Sequence, residues 1–419
     1  MMLDIPYGDD TMPLSIPAGH RATVLSPRHS GASEKVDIKK ALEEPVKAPP
    51  LGEFLESSHS VLIIVNDATR PTPTPLILDH LEPYLKGRRH AFIIATGTHR
   101  GPSDEELNQI FGRHLEWIRK NLIIHDCRDN ESLVHYGTTS FGTEVYLNKA
   151  LGEFDKVLVI TSVEPHYFAG YTGGRKSLNP GIAGLATVTG NHRLALRPEA
   201  TTLALAGNPV HEDIEESAKM VRKEIFSVLT VLDGSHKLYD VVCGDLFASM
   251  APAVEKAKDI FCAPLDERAD IVITVATKPC DIDLYQSQKA IDNGKLAVKE
   301  GGILILVSKC RTGTGSDDFI SLMASTGSPA ETLSRIGEGY KLGYHKAAKL
   351  AEVLEHASIW TVTDIDPPII HRMFMKPFPT VQEALEKALQ EKGAGASVVI
   401  LMDGSMVVPE LSGKACGTV

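Results

Sequence analysis

Residues 156–184 read KVLVITSVEPHYFAGYTGGRKSLNPGIAG, an apolar run that passes directly into a long polar and glycine-rich loop. The apolar residues of the run do not alternate with polar ones, which is typical of a strand buried on both faces of a parallel sheet. The same pattern recurs along the chain. The other runs are VLIIV (61–65), AFIIA (91–95), NLIIH (121–125), SVLTVL (227–232), DIVITVA (270–276), GILILV (302–307), IWTVT (359–363) and SVVILM (397–402).

Helical patterns lie between many of these runs. Ser103 with Glu106, and Thr380 with Glu383, have the spacing of a capping box, and residues 211–223 and 251–261 have amphipathic periodicity. Alternating strands and helices predict an α/β fold with mostly parallel sheets and helices on both sheet faces.

The length of the chain, 419 residues, indicates two or three domains. An acidic, proline-containing stretch at 263–270 suggests the boundary between them. We therefore predict a first domain over residues 1–265 and a second domain over residues 266–419.

The composition argues against several classes of partner. The formal net charge of −11 offers no broad basic surface for nucleic acid. The chain has neither a basic segment followed by an apolar run at its start nor a stretch of 18 apolar residues, so we expect no secretion signal and no membrane partner. Its six cysteines lack CxxC spacing, which indicates reduced thiols in a cytoplasmic protein.

Polar side chains follow three of the apolar runs at the point where each run ends. Because ligands bind at the carboxyl ends of strands in open parallel sheets, we expect these side chains to share one crevice. A histidine in TVTGNHR (187–193) is a further candidate for the same place. The side chains are Asp67, Arg70, His99, His166, Lys176 and His192.

Two glycine-rich segments depart from the nucleotide-binding motifs that they partly match. GYTGGRKS has Arg175 where a Walker A loop needs glycine, and RTGTGSDD has Asp318 where a dinucleotide fingerprint needs its third glycine. The first loop suits a single phosphate, although a mobile surface turn explains the spacing equally well. The segment DLYQSQKA (283–290) places Tyr285 and Lys289 on one helix face, for which an exposed amphipathic helix is the simplest interpretation.

Five segments together resemble one known family. NDATRP (66–71), ATGTHR (95–100), residues 164–184, NH (191–192) and YQSQKA (285–290) are similar, in the same order, to segments of the nickel-pincer-dependent lactate racemases. The resemblance implies two α/β domains with the active site in the cleft between them. It also implies racemisation of a 2-hydroxy acid by reversible hydride transfer, with the small acid as substrate.

The resemblance further implies a tethered cofactor, the nickel-pincer nucleotide. This is a pyridinium-3-thioamide-5-thiocarboxylic acid mononucleotide that carries Ni²⁺ and is made and loaded by accessory enzymes. By their positions in the matching segments, Lys176 is the covalent attachment point, His192 the nickel ligand, and His99 and His166 the acid and base. Residues implied to position the cofactor and its phosphate are Asp67, Thr172, Gly173, Gly174, Arg175 and Ser177. Residues implied to contact substrate are Arg70, Tyr285, Gln286, Lys289 and His345.

One departure leaves the substrate open. Lactate racemases of this family place a tryptophan from the second domain near the substrate, whereas the corresponding helix in this chain, residues 344–356, has Tyr344 or His345 at that point. A polar residue would admit malate-like diacids, longer 2-hydroxy acids or sugar acids. Two other functions stay open: a pyridine-nucleotide-dependent 2-hydroxy acid oxidoreductase, and a non-enzymatic binder of small carboxylated or phosphorylated ligands.

Overall fold

The computed structural model describes residues 1–28 and 36–412. The described residues divide into two compact units: a central unit within Arg28–Ile260, and a terminal unit, which combines Met1–Pro27 with residues 261–412. Among the described residues, no helix has both the length and the apolar composition that a membrane crossing requires.

In chain order, the strands of the described residues are β1 (Met2–Tyr7), β2 (Asp10–Ser15), β3 (Ala22–Leu25), β4 (Ser60–Asn66), β5 (Arg89–Ala95), β6 (Leu122–Ile124), β7 (Leu133–Thr138), β8 (Glu144–Asn148), β9 (Lys156–Ser162), β10 (Pro165–His166), β11 (Gly170–Tyr171), β12 (Ile225–Leu232), β13 (Leu238–Asp245), β14 (Cys262–Leu265), β15 (Ala269–Val275), β16 (Val298–Val307), β17 (Ser358–Val362), β18 (Lys376–Pro377), β19 (Val398–Leu401) and β20 (Val408–Leu411).

The α-helices of the same residues are α1 (Ile38–Glu43), α2 (Leu51–Glu56), α3 (Thr74–Leu85), α4 (Asp104–Phe111), α5 (Leu115–Ile118), α6 (Ala150–Glu153), α7 (Leu185–Arg193), α8 (Pro209–Lys219), α9 (Met250–Phe261), α10 (Leu284–Gly294), α11 (Asp317–Ala324), α12 (Pro329–Glu338), α13 (Tyr344–His356), α14 (Pro367–Arg372) and α15 (Val381–Lys392). The 3-10 helices are Gly112–His114, Arg119–Asn121, Asn130–Ser132, Gly174–Ser177, Leu194–Leu196 and Cys280–Ile282.

A six-stranded sheet in the order β13-β12-β9-β4-β5-β6 forms the middle of the central unit. Its strands are parallel except β13, which runs antiparallel to β12. Asn66 at the end of β4 pairs with Ala95 at the end of β5, and Val65 pairs with Ile160 near the end of β9. The loops that follow these three strands therefore leave the sheet at the same edge.

The terminal unit is built on a second six-stranded sheet, in the order β18-β17-β16-β15-β19-β3, with all neighbours parallel. The antiparallel hairpin β1-β2 covers part of it, because Ile5 and Leu14 lie in the same apolar cluster as Ile273 and Ile305. This packing anchors the start of the chain in the terminal unit.

Every apolar run that the sequence predicts as a strand is one, and the α/β class with mostly parallel sheets is confirmed. Most of these runs are buried on both faces; the five residues of VLIIV, for example, are fully buried. The edge strand β6 differs, because Leu122 and Ile123 are half-buried and Ile124 is exposed. The predicted capping box at Ser103 is also confirmed. Glu106 N–H donates to the Ser103 hydroxyl at 3.3 Å, and Ser103 N–H donates to the Glu106 carboxylate at 2.7 Å.

The division of the chain differs from the predicted one, in which residues 1–265 form the first domain. Val24 in β3 pairs with Ile400 in β19, so the first 27 residues belong to the terminal unit, and the chain enters that unit again at Phe261. A pairing between residues so far apart in the chain leaves no local pattern from which it could be predicted.

Asp270 allows a prediction about stability in the terminal unit. Its carboxylate accepts hydrogen bonds from Ser397 N–H at 2.9 Å, from the Ser397 hydroxyl at 2.7 Å and from Lys299 Nζ at 2.9 Å. Burial raises the pKa of Asp270, but these donors outweigh it and hold the pKa below its ordinary value. We expect Asp270→Asn to lower the free energy of unfolding by about 1–3 kcal/mol at pH 7, because an amide cannot replace both acceptor oxygens.

The same depressed pKa sets the pH dependence of this effect. The stabilisation is complete above the pKa of an unfolded aspartate, about 3.9, and is lost as the pH falls from there through the folded pKa. Urea unfolding of wild type and Asp270→Asn at pH 7 and pH 3 measures the difference. If wild type and Asp270→Asn differ in the free energy of unfolding by the same amount at both pH values, the stabilising role assigned to the Asp270 carboxylate is wrong.

Candidate active site

An open cleft lies at the edge of the central sheet where β4, β5 and β9 end. It encloses about 770 Å³, a volume that includes open solvent at its mouth. The structure places most of the central-unit residues singled out in the sequence along this cleft. They are Asp67, Arg70, His99, His166, Thr172, Gly173, Lys176, Ser177 and His192.

Asp67 and His99 form a hydrogen-bonded pair at one side of the cleft. His99 Nδ1 lies 2.6 Å from Asp67 Oδ2, and the Thr69 hydroxyl donates to Asp67 Oδ1 at 2.6 Å. Burial raises the pKa of Asp67, but the hydrogen bonds and charge of His99, Thr69 and Arg70 bring it below its ordinary value. The ionised carboxylate holds the His99 proton on Nδ1 and leaves the Nε2 lone pair available as a base.

The pairing with His99 goes beyond the role predicted for Asp67, which also lines the cleft. The sequence assigns it to the cofactor, whereas its carboxylate is engaged by His99 and Thr69. Spacing alone does not indicate the pair, because Asp67 and His99 follow different strands and meet only when β4 and β5 lie side by side.

We expect Asp67→Asn to lower kcat/KM on the order of 10²-fold, because the amide no longer holds the His99 ring in one tautomer and orientation. Steady-state kinetics of the cofactor-loaded protein measures this. Thr69→Ser, which keeps the hydroxyl that donates to Asp67, is the matched control. A kcat/KM unchanged in Asp67→Asn would contradict the orienting role.

His166 is held differently. Ala169 N–H donates to His166 Nδ1 at 3.3 Å, so the neutral ring carries its proton on Nε2. The ring stacks on Tyr167, with 5.1 Å between centroids, and meets the edge of Phe168 at 4.6 Å. The two cleft histidines therefore present different tautomers: His99 offers a lone pair at Nε2, and His166 offers an N–H at Nε2.

Arg70 supplies a positive charge to the wall of the cleft. Its Nη1 lies 3.0 Å from Glu164 Oε2, and the Ser162 hydroxyl donates to the other oxygen of Glu164 at 3.0 Å. The guanidinium side chain remains 27% exposed and has further N–H donors beyond the one that Glu164 uses. These donors suit the planar carboxylate of a small acid.

The glycine-rich loop reaches the cleft through positions that require glycine. Gly173 has a φ of +93°, and a Cβ built there would lie 2.6 Å from Val163 Cγ2. A Cβ at Gly181 would lie 2.3 Å from the carbonyl oxygen of Ser177. The loop is therefore packed against β9 and against itself, which fixes the 3-10 helix Gly174–Ser177 and with it Lys176.

Lys176 and His192 approach the same aromatic ring. Lys176 Nζ lies 5.6 Å from the centroid of Phe168, and the His192 ring lies 5.1 Å from it. Burial, followed by the charge of Lys176, lowers the pKa of His192 to about 3. The imidazole is thus neutral over the physiological pH range, which is the form that binds metal ions.

Two residues predicted to position the cofactor have side chains that are hydrogen-bonded to other parts of the protein. Arg175 is fully buried, does not line the cleft, and donates from Nε to His211 Nδ1 at 2.7 Å. The Thr172 hydroxyl donates to the carbonyl of Ser162 at 3.0 Å and accepts from Glu164 N–H at 2.9 Å. Both side chains hold the loop together. Arg175 does not reach the cleft, so its predicted contact with the cofactor is wrong, whereas Thr172 lines the cleft and its predicted role stays a prediction. Gly174 also lies outside the cleft lining.

The residues that remain fit a lysine-anchored nucleotide carrying a metal. Ser177 Oγ is buried and lines the cleft, with no hydrogen-bond partner in the described part of the chain, so it suits a polar group of a ligand. Within residues 1–28 and 36–412, no three His, Cys, Asp or Glu side chains converge to hold an ion by themselves.

The remaining predicted residues belong to the terminal unit. Gln286, in the first turn of α10, is partly buried, and Lys289 Nζ lies 3.7 Å from Cys280 Sγ. Burial raises the pKa of Tyr285 to about 12, and Lys346 Nζ lies 4.3 Å from its ring centroid. His345 is 2% exposed and its Nδ1 lies 2.9 Å from the Tyr340 hydroxyl, so its ring packs inside the terminal unit.

Comparison with known proteins identifies the family. Residues 7–203 match the model of the lactate racemase N-terminal domain, and residues 265–408 match that of the lactate racemase C-terminal domain. The chain belongs to the lactate racemase family. As a member of this family of racemases, the protein is an isomerase.

Named lactate racemases match this family member over nearly their full length. The lactate racemase of Lactiplantibacillus plantarum is 30% identical, over 97% of this chain and 99% of that one. The lactate racemase of Thermoanaerobacterium thermosaccharolyticum is 31% identical, over 97% and 98%. The structure of the latter's apoprotein superposes with a TM-score of 0.90 over 98% of this chain and 100% of that chain. A Thermotoga maritima protein, 18% identical with a TM-score of 0.68, shares the fold.

Proposed function

We propose that the protein interconverts the enantiomers of lactate or a related 2-hydroxy acid, using a nickel-pincer nucleotide attached to Lys176. The observation that carries this proposal is that one cleft is lined by Lys176, His192, His99, His166 and Arg70. The named lactate racemases that match the chain support the substrate class.

Four residues would hold the cofactor. Lys176 would form the covalent link, and His192 would give the nickel a neutral nitrogen ligand beside the softer donors of the nucleotide. Gly173 and Ser177, which line the same cleft, would leave room and a hydroxyl for its polar groups. When bound, the pyridinium ring supplies a site that takes up and returns a hydride.

The remaining cleft residues would bind the acid and move its hydroxyl proton. Arg70 would bind the substrate carboxylate and so fix which way the molecule lies. His99, held by Asp67, would take the hydroxyl proton from one enantiomer, and His166, after it takes up a proton from solvent to become an imidazolium, would return a proton when the other enantiomer forms. The reverse reaction exchanges these roles, so neither direction runs without both histidines.

The proposal extends to partners and location. The cofactor would require accessory enzymes that synthesise and load it. The five cysteines in the described residues are free thiols, and Cys416 lies outside those residues. Free thiols are usual in the reducing cytoplasm, where we propose that the protein works.

The decisive experiment uses protein produced together with the cofactor-assembling enzymes. Each optically pure acid, including lactate, malate and longer 2-hydroxy acids, is incubated with it and followed by chiral chromatography. We expect at least one acid to become racemic. The proposal is wrong if protein that carries the covalent adduct and nickel leaves every acid unchanged. Turnover that needs only added NAD would favour the oxidoreductase, and binding without turnover would favour the binding protein.

A further inference from the structure

Helix α8 carries an unusual number of buried polar side chains for an element that lies outside the cleft. Asn208, its N-cap, and His211, Asp213 and Ser217 are each between 0% and 8% exposed, yet no α8 residue lines the cleft in the described structure. Burial of polar groups costs free energy unless they are hydrogen-bonded. The hydrogen-bond partners of these side chains therefore indicate which neighbouring segments the helix positions.

Asp213 reaches the helix that carries His192. Asn191 Nδ2 donates to Asp213 Oδ2 at 2.7 Å, and also to the carbonyl of Val210 at 3.1 Å. The other carboxylate oxygen accepts from the Thr139 hydroxyl at 2.6 Å. Asn191 is fully buried and immediately precedes His192 in α7. The contact thus sets the rotation and depth of α7 at the residue next to His192.

His211 reaches the turn that carries Lys176. Its Nδ1 accepts the 2.7 Å hydrogen bond from Arg175 Nε, and its Nε2 lies 3.5 Å from Glu215 Oε1, one turn further along the helix. Burial, together with the charge of Arg175, lowers the pKa of His211 to about 2, so the ring is a neutral acceptor. Arg175 immediately precedes Lys176 in the 3-10 helix.

Two more contacts link the same helix to the cleft wall. Asn208 Nδ2 donates to the carbonyl of Phe168 at 2.9 Å, and the Phe168 ring is the one that Lys176 and His192 approach. Asn179 Nδ2 donates to the Ser217 hydroxyl at 3.1 Å, and Asn179 precedes Pro180, which lines the cleft.

We propose that α8 is a positioning helix with two separate arms. Asp213 positions His192 through Asn191, and His211 positions Lys176 through Arg175. None of these four supporting residues touches a ligand in this scheme. The inference rests on the proposed function for the identity of the group that Lys176 and His192 hold, whereas the contacts themselves do not depend on it.

The Asp213 arm is tested on cofactor-loaded protein by measuring nickel retention against a chelator. We expect Asp213→Ala to weaken nickel binding by about 10- to 100-fold, as is usual when the partner behind a metal ligand is lost. Asp213→Asn keeps an oxygen that can accept from Asn191, so it should restore most of the affinity. Glu212→Gln, on the exposed side of the same helix, is the matched control. Only variants whose circular dichroism spectrum matches that of the wild type are compared.

The His211 arm is tested by the rate at which the covalent adduct forms, followed by intact mass. We expect His211→Ala to slow adduct formation by about tenfold to 10²-fold, because Lys176 is misplaced. His211→Asn can place an amide oxygen where Nδ1 lies and should restore the rate. In the His211 variants, the protein that carries the adduct should bind nickel with wild-type affinity. In the Asp213 variants, the adduct should form at the wild-type rate.

These separate losses distinguish positioning from general destabilisation. If each alanine variant, while folded, loses adduct and nickel affinity together, or loses neither, the two-arm proposal is overturned. A readout without cofactor separates it from the proposed function. In apoprotein, the His192 imidazole resonance, assigned with His192→Gln, should move in Asp213→Ala and not in Glu212→Gln. If wild type carries no adduct, the proposed function fails, and this resonance still decides whether Asp213 positions His192.

Discussion

Lys176→Ala is expected to abolish both the covalent mass increase and all racemisation in protein made with the cofactor-assembling enzymes. The bond proposed for this site requires a primary amine, which alanine lacks. Lys176→Arg should fail in the same way, since it keeps the positive charge but cannot form the link. Intact mass measures the adduct directly, and chiral chromatography measures turnover on the same sample.

A matched control is an exposed lysine elsewhere in the central unit. Lys149, whose Nζ donates to the carbonyl of Glu131, lies outside the cleft lining. Lys149→Ala should keep the full mass increase and full activity. A mass increase that persists in Lys176→Ala would show that another residue carries the group.

His99→Gln and His166→Gln are each expected to lower racemisation by about 10²- to 10⁴-fold while the adduct stays intact. Glutamine fills similar space but neither takes nor gives a proton at neutral pH. The loss should hold in both directions, because the proton taken at one side of the substrate must be replaced at the other. His135→Gln, at a half-exposed histidine paired with Glu144, is the control.

The two histidine variants should also differ from each other. Each variant is mixed with one equivalent of a single enantiomer and then quenched with acid. One variant should yield 2-keto acid only from one enantiomer, and the other variant only from the opposite enantiomer. Equal yields of 2-keto acid from both enantiomers in both variants would mean that each histidine does not act on only one enantiomer. Loss of the adduct in either variant would instead assign that histidine to the cofactor.

The strands show how much local pattern can predict. Runs such as VLIIV and KVLVIT form buried parallel strands because continuous β-branched and aliphatic residues suit burial on both sheet faces. The placement of Asp67, His99 and Lys176 along one cleft also follows from a local rule, since each lies in a loop that leaves the same sheet edge. The N-terminal strands lack such a pattern, and β3 joins a sheet whose other members come from the far end of the chain.

The candidate site shows where that reasoning stops. Arg175 and Lys176 are neighbours in a polar, glycine-rich loop, yet one is fully buried against His211 and the other lines the cleft. Asp67, which is predicted to position the cofactor, also forms a hydrogen bond with His99 that the sequence does not indicate. Spacing along the chain does not predict these contacts, because the hydrogen-bond partner of each side chain lies on another helix, strand or loop.

The sequence by itself determined the α/β class, the strands of both sheets that have continuous apolar runs, and the polar residues at the carboxyl ends of the central strands. These depend on hydrophobic periodicity and on the geometry common to parallel sheets, which act over a few residues. The tertiary structure alone decided that Asp67 faces His99, that Arg175 turns inward, and that Asp213 and His211 stand behind His192 and Lys176. Those pairings join side chains 22 to 36 residues apart, and their hydrogen bonds form only after the helices and strands that carry them have packed.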